Sequence, residues 1–185
     1  MDKRKEKSIK AIKDALCKLI SKKRYYDITT QDIIDEAVLS RGTFYNNYKN
    51  KDEVLHSISN DIFDHISNHN LKKESTHDFS HDFAFENRII HMLYHIMEDK
   101  ELIKSILLSD AKNIFLEDLS NHIMILIRNF YLVDKRSDIK DEILLNHLTS
   151  SLLGIIVWWV KDNSCEMYPK ILSDNYFRLI EPIFK

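Results

Sequence analysis

The stretch that decides the fold runs from Thr29 to Lys51, with the sequence TTQDIIDEAVLSRGTFYNNYKNK. Thr29 is a favourable N-cap residue, and Asp32 is well placed for the free amides of the first helical turn. Ser40 is the next capping residue. These signals predict a first helix of about two turns and a second helix from Arg41 to Tyr48, joined by a turn of about three residues. Neither helix is long enough to be stable alone, so the pattern indicates a helix-turn-helix.

The second helix of this pair has one apolar face and one polar face. Phe44 and Tyr48 fall on the same face, and we expect Tyr48 in the core. The remaining faces carry hydrogen-bonding side chains: Arg41, Thr43, Tyr45, Asn46 and Asn47. A short turn sets two helices near a right angle and presents the second one outward, as in a helix that enters the major groove of DNA. The alternative, two short packed helices of an all-α core, leaves this exposed polar face unexplained.

The run SRGTFYNNYKNK, residues 40–51, resembles the DNA-binding signature of the TetR family of bacterial regulators, with Asn50, Lys51 and Glu53 capping the next helix. The resemblance covers roughly residues 8–55. In that family the first three helices form the DNA-reading head and the others form a ligand-binding, dimerising core, which implies the same division here. One departure is Val38, where the family commonly has glycine. A β-branched residue is strained there if the turn requires a positive φ.

Composition favours an all-α fold. The chain has 185 residues, 44% of them hydrophobic, and its two glycines and two prolines supply few of the turns that β-hairpins need. Residues 1–55 carry 13 basic and 9 acidic side chains, a net charge of +4, and the rest carries 14 and 20, a net charge of −6. A basic head on an acidic body is suited to nucleic-acid binding at one end. The basic start of the first helix, near Lys3 to Lys13, either reaches DNA phosphates or is a solvated face.

Helical periodicity divides the chain into about nine helices. We expect a head at residues 1–55, continued by a connecting helix to about residue 70, and a helical effector-binding and dimerisation body at 71–185. The polar segment Leu71–Asp82 has no sustained period and marks the boundary. Near the C-terminus, a Leu-Leu-Gly run ends at Gly154 and is followed by Trp158 and Trp159. This pattern resembles a type of C-terminal region found among TetR-like regulators of low-GC Gram-positive bacteria. One such relative activates its operon.

The candidate DNA contacts lie on both helices of the helix-turn-helix. Arg41 can form a bidentate contact with guanine or hold a phosphate, Gly42 allows close approach, and Tyr45 can cover a thymine methyl or bond a phosphate. Thr43, Asn47 and Lys51 are expected to position the DNA backbone. The set is completed by Thr29, Thr30 and Asn46.

The resemblance implies a pocket in the body, and the apolar body supplies candidates for it. Large aromatic and methionine side chains between helices can line a cavity for an apolar or aromatic effector, although most of them must form the core. The candidate pocket residues are Phe85, Met92, Phe115, Met124, Trp158 and Trp159.

The helix that carries Gly154 is also a candidate dimer interface. The run Leu152–Val160 is apolar nearly all round, so a second surface must cover it. Ser150 and Gly154 are small and one turn apart, which allows a partner helix to approach closely. The predicted interface consists of residues from this helix and the final one: Ser150, Gly154, Trp158, Tyr176 and Ile180. The alternative is that Gly154 faces the core of its own protomer.

Metal binding and catalysis are not indicated. Three histidine pairs have the helical spacing of a shared metal site, but no HExxH frame or nearby cysteine accompanies them: His65/His69, His77/His81 and His91/His95. No phosphate loop, nucleophile elbow or paired-acid motif is present in the sequence. We therefore expect no enzyme activity, no cofactor and no metal.

Location follows from the cysteines and the apolar runs. Cys17 and Cys165 are too far apart in sequence to suggest a disulfide framework, so a reducing bacterial cytoplasm is expected. The start, MDKRKEKSIK, lacks the apolar core and cleavage site of a secretory signal. Leu152–Val160 is shorter than the roughly 20 residues that span a bilayer, so no membrane segment is expected.

These features together predict a dimeric, all-α, TetR-like regulator that binds a palindromic double-stranded operator and is released, as a repressor, by a small-molecule effector. The rival from another class is a helical co-regulator that has lost operator binding and acts through a partner protein. The residue at Val38 and the modest charge of the head keep this rival open.

Overall fold

The computed structural model describes residues 3–63, 84–132, 139–162 and 167–184. Within these ranges the chain forms nine α-helices, two 3₁₀ segments and no strand, which confirms the predicted all-α class. The α-helices are α1 (Lys3–Ile20), α2 (Thr30–Glu36), α3 (Arg41–Tyr45), α4 (Lys51–Phe63), α5 (Phe85–Glu98), α6 (Lys100–Leu107), α7 (Lys112–Phe130), α8 (Asp141–Lys161) and α9 (Pro169–Ile180). The 3₁₀ segments are Tyr25–Asp27, called the Tyr25 turn below, and Glu181–Phe184.

The chain divides into two compact units. The head unit comprises Met1–Asn60 and Glu101–Leu116, and the body unit comprises Asp61–Lys100 and Glu117–Lys185. The sequence pattern predicts residues 101–116 in the body, whereas the contacts of this segment group it with the head unit. The polar segment Leu71–Asp82, where the boundary is expected, lies outside the described residues.

The head unit has an apolar core to which each of its helices contributes. α1 is amphipathic, and its buried stripe includes Ile12, Leu16 and Leu19. The same core contains buried residues of the shorter helices: Ile33, Ile34, Phe44, Val54, Leu55 and Ile58. Burying one such side chain contributes about 1.5–3 kcal/mol. Helices as short as α2 and α3 depend on this packing, because their own hydrogen bonds do not offset the cost of nucleation.

Both predicted N-caps are present. The Thr29 hydroxyl accepts from the Asp32 amide at 3.1 Å, and the Asp32 carboxylate accepts from the Thr29 amide at 2.7 Å, which completes a capping box. Hydrogen bonds from Lys23 and then Thr29 hold the pKa of Asp32 well below its usual value. At the start of α3, the Ser40 hydroxyl accepts from the amide of Thr43 at 3.1 Å.

The body unit has an aromatic and aliphatic core, part of it where α5 packs on α9. Phe85 contacts Tyr131 and Phe177, with ring centroids 4.8 and 5.7 Å apart. The Tyr176 hydroxyl donates to the Leu148 carbonyl at 3.0 Å and so joins α9 to α8. Burial raises the pKa of Tyr176, because its phenolate would be formed in this apolar surrounding.

α8 is apolar because much of it is core. Its composition gives a mean hydropathy of 1.6 over an 18-residue window, which is enough by length and composition to cross a membrane. However, Leu148, Leu152, Ile156 and Trp159 are at most 1% exposed in the body unit. Packing within the body unit therefore accounts for part of this composition, since 44% of the window is buried.

The turn between α2 and α3 contains a strained residue. Val38 has φ = 54°, the only positive φ of a non-glycine residue in the described part of the chain. Its amide donates to Asp35, and the Leu39 amide donates to the Ile34 carbonyl at 3.1 Å. This pair of bonds is a Schellman motif, which requires the left-handed conformation at the position that usually carries glycine. The positive φ on which strain at Val38 depends is therefore present.

We expect Val38→Gly to raise the free energy of unfolding by about 1 kcal/mol, since glycine adopts this conformation without steric cost. Val38 is 88% exposed, so its removal sacrifices no packing. The control is Val38→Ala, which keeps a Cβ and should gain less. Urea denaturation at constant m-value measures the change, and equal stability of all three proteins would contradict the strain.

Candidate nucleic-acid interface

α3 is held by two aromatic residues and presents the rest of its surface. Phe44 is fully buried, Tyr48 is 8% exposed as predicted for a core residue, and their ring centroids are 6.2 Å apart. Tyr45 lies against Phe44 in a T-shaped contact but is 56% exposed. Three further candidate contacts are exposed on this surface: Arg41, Gly42 and Asn46.

The helix is shorter than predicted, ending at Tyr45 instead of Tyr48. The side-chain amide of Asn47 donates to the Thr43 carbonyl at 2.7 Å. That carbonyl would otherwise accept the main-chain amide of Asn47, which bonds to Phe44 instead. Competition from a local side chain therefore tightens the last turn. Thr43 and Asn47 are both half-buried.

Arg41 is oriented by α2. Its Nε donates to the Gln31 side-chain oxygen at 2.8 Å, and the Gln31 amide donates to Asp35 at 2.7 Å. The terminal amino groups of the guanidinium remain available for a bidentate contact with guanine or phosphate. Gln31 therefore holds Arg41 from behind. The sequence does not indicate this role, because Arg41 lies ten residues away on another helix.

A polar cleft lies between the start of α1 and α3. It has a volume of about 430 Å³ and is lined by Arg4, Lys5, Ser8, Thr43, Asn46 and Asn47. Arg4 and Lys5 are exposed and belong to the basic start of α1, for which sequence analysis leaves two roles open. The structure places this basic segment beside the reading helix. A cationic cleft next to a helix with polar side chains can receive a DNA phosphate.

The remaining predicted contacts lie at the start of α2. Thr29 is exposed, but its hydroxyl is engaged in the capping box and donates to the Asp32 carboxylate at 2.7 Å. Thr30 is half-buried in the first turn. The amides of Thr29 and Asp32 are both bonded in this capping box, and the Asp32 carboxylate places a negative charge at the same end of α2.

Lys51 has a different role from the one predicted. Its ammonium donates to the carbonyls of Tyr25, Tyr26 and Ile28, at 2.8, 3.2 and 2.8 Å. It also lies 4.6 Å from the centroid of the Tyr25 ring. An ammonium has three N–H donors, and here all three are used within the head. The prediction that Lys51 contacts DNA is therefore corrected. Its side chain joins α4 to the Tyr25 turn.

The Tyr25 turn is tied to α4 by a second bond. The buried Tyr25 hydroxyl donates to the carboxylate of Asp52, the residue after Lys51. Burial first, and then this hydrogen bond, raise the pKa of Tyr25 above its ordinary value, so the hydroxyl keeps its proton and remains a donor.

The predicted pocket residues occupy different surroundings. Phe85, Met92 and Trp159 are buried in the body unit, and Phe115 is buried in the head unit. The Trp159 indole donates to the Met167 carbonyl at 2.9 Å, so its polar atom is satisfied within the core. Met124 is half-buried. Trp158 is 48% exposed on the outer side of α8, which corrects its assignment to an interior pocket.

The predicted dimer surface is partly revised. Ser150, Gly154 and Trp158 are exposed, and a Cβ added at Gly154 would meet no atom within 4 Å, which excludes the alternative that it faces the core. Tyr176 and Ile180 are 1% and 2% exposed, so they are core residues of the protomer and are corrected as interface residues. The exposed apolar side chains of α8 and α9 instead include Ile143, Ile171 and Leu179. The sequence of α8 is apolar nearly all round, so it does not show which face of the helix points to the core. The predicted and observed exposed residues differ for this reason.

The histidine pairs do not form a metal cluster in the described ranges. The His91 and His95 Nε2 atoms are 2.9 Å apart, and Glu98 is 3.7 Å from His95 Nδ1. Even so, the described residues contain no group of three or more potential ligands that could hold a metal. The pairs His65/His69 and His77/His81, like Cys165, lie outside the described residues.

Two family models match the chain. The model of bacterial regulatory proteins of the tetR family matches residues 12–58, and the transcriptional regulator C-terminal region matches residues 84–182. No curated protein matches the chain in sequence at a significant level.

Solved structures with the same fold align with nearly the whole chain. A TetR transcriptional regulator from Streptococcus agalactiae 2603V has 26% identity and a TM-score of 0.64, over 97% of this chain and 96% of that one. The dihydroxyacetone kinase operon activator DhaS has 18% identity and a TM-score of 0.63, over 96% of each chain. The TetR family repressor AlkX from Dietzia sp. strain DQ12-45-1b has 14% identity and a TM-score of 0.51, over 95% and 98%.

We expect Lys51→Met to lower the free energy of unfolding by about 1–3 kcal/mol, because three carbonyls lose their donor while the apolar stem is kept. The matched control is Lys49→Met. The Lys49 side chain is 87% exposed and lies 3.6 Å from Glu53, so its loss should cost less than about 0.5 kcal/mol. Thermal and urea unfolding of both variants compare the two lysines. Equal effects would contradict the internal role of Lys51.

Proposed function

This chain belongs to the TetR family of bacterial transcriptional regulators, and on that premise we propose that it is a homodimeric repressor of a palindromic operator. It acts on double-stranded DNA in the bacterial cytoplasm and is released by a small-molecule effector. It has no catalytic role.

The observation that carries operator binding is the surface of α3. The helix is fixed from behind by Phe44 and leaves Arg41, Tyr45 and Asn46 exposed. These are the side-chain types that read base edges and bond phosphates in the major groove. Because Arg41 is already hydrogen-bonded to Gln31 at 2.8 Å, less side-chain entropy is lost when DNA binds.

The charge distribution supports a DNA backbone contact beside this surface. The cleft lined by Arg4 and Lys5 adjoins α3, and residues 1–55 carry a net charge of +4. Each phosphate that a basic side chain neutralises releases counterions, so binding should weaken steeply with salt. The opposite net charge of −6 on the rest of the chain favours approach to DNA through the head.

The homodimer is supported by an exposed apolar stripe on α8 and α9. Ile143 and Trp158 on α8 are 60% and 48% exposed, and Ile171 and Leu179 on α9 are 51% and 70% exposed. The open surface at Gly154 lets a partner helix approach closely. A two-fold axis at this stripe would set the two α3 helices on half-sites about 34–36 Å apart.

Sensing requires that an effector bind two arrangements of the heads unequally. We propose that the body unit holds this effector among its apolar side chains, near Phe85, Met92 and Met124. Trp159 can contribute one wall, since its indole is fixed by Met167 and Lys100 lies 5.5 Å from its ring. Repression is the proposed sign of regulation, although DhaS, which shares the fold at 18% identity, is an activator.

We expect Arg41→Ala and Tyr45→Ala each to weaken specific DNA binding by about 1–3 kcal/mol without loss of fold. The operator is first selected from genomic fragments, and mobility shifts at two salt concentrations then measure affinity. Arg128→Ala, at an exposed position of α7, removes the same charge from the body as Arg41→Ala removes from the head, and it serves as the control. If the parent binds no fragment at either salt concentration, the helical co-regulator is supported instead. An effector that stabilises the protein but leaves operator affinity unchanged would contradict release.

We expect Gly154→Leu to shift sedimentation toward the monomer and to abolish operator binding. The added side chain would hold the partner protomer's helix away from α8. Asn121→Leu adds the same group at an exposed position of α7 and should leave the dimer intact. Analytical ultracentrifugation at micromolar concentration measures both variants. A parent protein that is already monomeric under these conditions would overturn the dimer and the palindromic operator together.

A further inference from the structure

The corner between α6 and α7 is docked on the head through one carboxylate. Asp110 accepts from the Tyr25 amide at 2.6 Å and from the Tyr26 amide at 3.5 Å, and it lies 3.6 Å from Arg24 Nε. Ala111 and Leu107, on either side of it, are at most 2% exposed. This corner is separated from the Tyr25 turn by 85 residues of sequence, and nevertheless it forms part of the same compact unit.

The corner is itself well ordered by local bonds. The Ser109 amide donates to Ile106, and the Ser109 hydroxyl accepts from the Ala111 amide at 3.1 Å. Although partial burial opposes ionisation, the amides of Tyr25 and Tyr26 hold the pKa of Asp110 below its usual value. At neutral pH the group is therefore a charged acceptor, and its hydrogen bonds are of the stronger, charge-assisted kind.

The Tyr25 turn has a second set of bonds, to α4. The turn donates two amides to Asp110, and its carbonyls accept from the Lys51 ammonium. The Tyr25 hydroxyl donates to Asp52. Lys51 and Asp52 are the first two residues of α4, and Asn50, which caps that helix with a bond to the Glu53 amide at 2.9 Å, follows closely on α3.

We propose that Asp110 is a positioning residue through which the α6–α7 corner sets the first turn of α4 and, with it, the reading helix α3. The chain of contacts runs from Asp110 through the Tyr25 turn to Lys51. This inference rests on the proposed operator binding, and it deepens that proposal by naming a residue that holds the reading helix in place. The corner, the Tyr25 turn and the first turn of α4 all belong to the head unit.

Loss of this contact has a defined consequence for the Tyr25 turn. When the corner shifts by more than about 1 Å, a hydrogen bond at 2.6 Å is lost, and two turn amides lose a charged acceptor. The turn carbonyls that hold Lys51 then lose their fixed position.

The test uses Asp110→Ala, Asp110→Asn and the control Glu117→Gln in the full chain. Glu117 is exposed on α7, so its variant removes one negative charge without touching the corner. Amide hydrogen exchange is followed at Tyr25, Tyr26 and residues 54–58 of α4, and operator affinity is measured in parallel. Asp110→Ala should speed exchange at all three places and weaken operator binding about tenfold, which corresponds to about 1.4 kcal/mol. Asp110→Asn keeps one accepting oxygen and should lie between Asp110→Ala and the parent.

A double-mutant cycle with Lys51→Met tests the chain of contacts. If Asp110 and Lys51 act through the same turn, their effects on operator affinity are not additive, whereas independent sites would add. Exchange that rises equally in α1, α4 and α7 would mean global destabilisation and would overturn the inference. Unchanged exchange in α4, or additive effects in the cycle, would overturn it as well. If the parent binds no operator, operator binding itself fails, while the exchange measurement still decides the contact.

Discussion

The structure depends on the burial of Phe44. α3 has five residues, too few for its own hydrogen bonds to hold it in water, so its existence depends on one aromatic side chain with no exposed surface. The Ser40 cap fixes where the helix begins, and Asn47 fixes where it ends. With the back of the helix committed to the core, the front consists of side chains whose chemistry is free for recognition.

A second constraint is the use of charged groups inside the head. Lys51, Asp52 and Asp110 all bind the Tyr25 turn. Charged side chains gain most when their donors and acceptors are fully matched in a partly buried place. Here they join three segments that are distant in sequence, and the apolar core alone would leave their relative placement less specific.

The parts of the fold that sequence predicts are those governed by neighbouring residues. Capping at Thr29 and Ser40, the strain at Val38 and the burial of Tyr48 each depend on positions within a few residues, and each is found in the structure. Asp110 and Lys51 could not be predicted, because their partners are fixed only by tertiary packing. Likewise, the sequence of a helix as apolar as α8 does not show which of its faces packs on the core. Whether Tyr176 on α9 faces the core or a partner protomer depends on how α9 packs, which the sequence does not give.

The separation of anchor and reading surface bears on how such a regulator changes over evolution. Tyr45 and Asn46 are exposed, and Gly42 would accept a Cβ with only Ser40 Oγ near it, at 3.9 Å. If α3 reads DNA as proposed, substitutions at these positions change which bases are contacted and leave the core of the head as it is. A duplicated copy of this gene could therefore acquire a new operator through a few exchanges, each of which yields a folded protein.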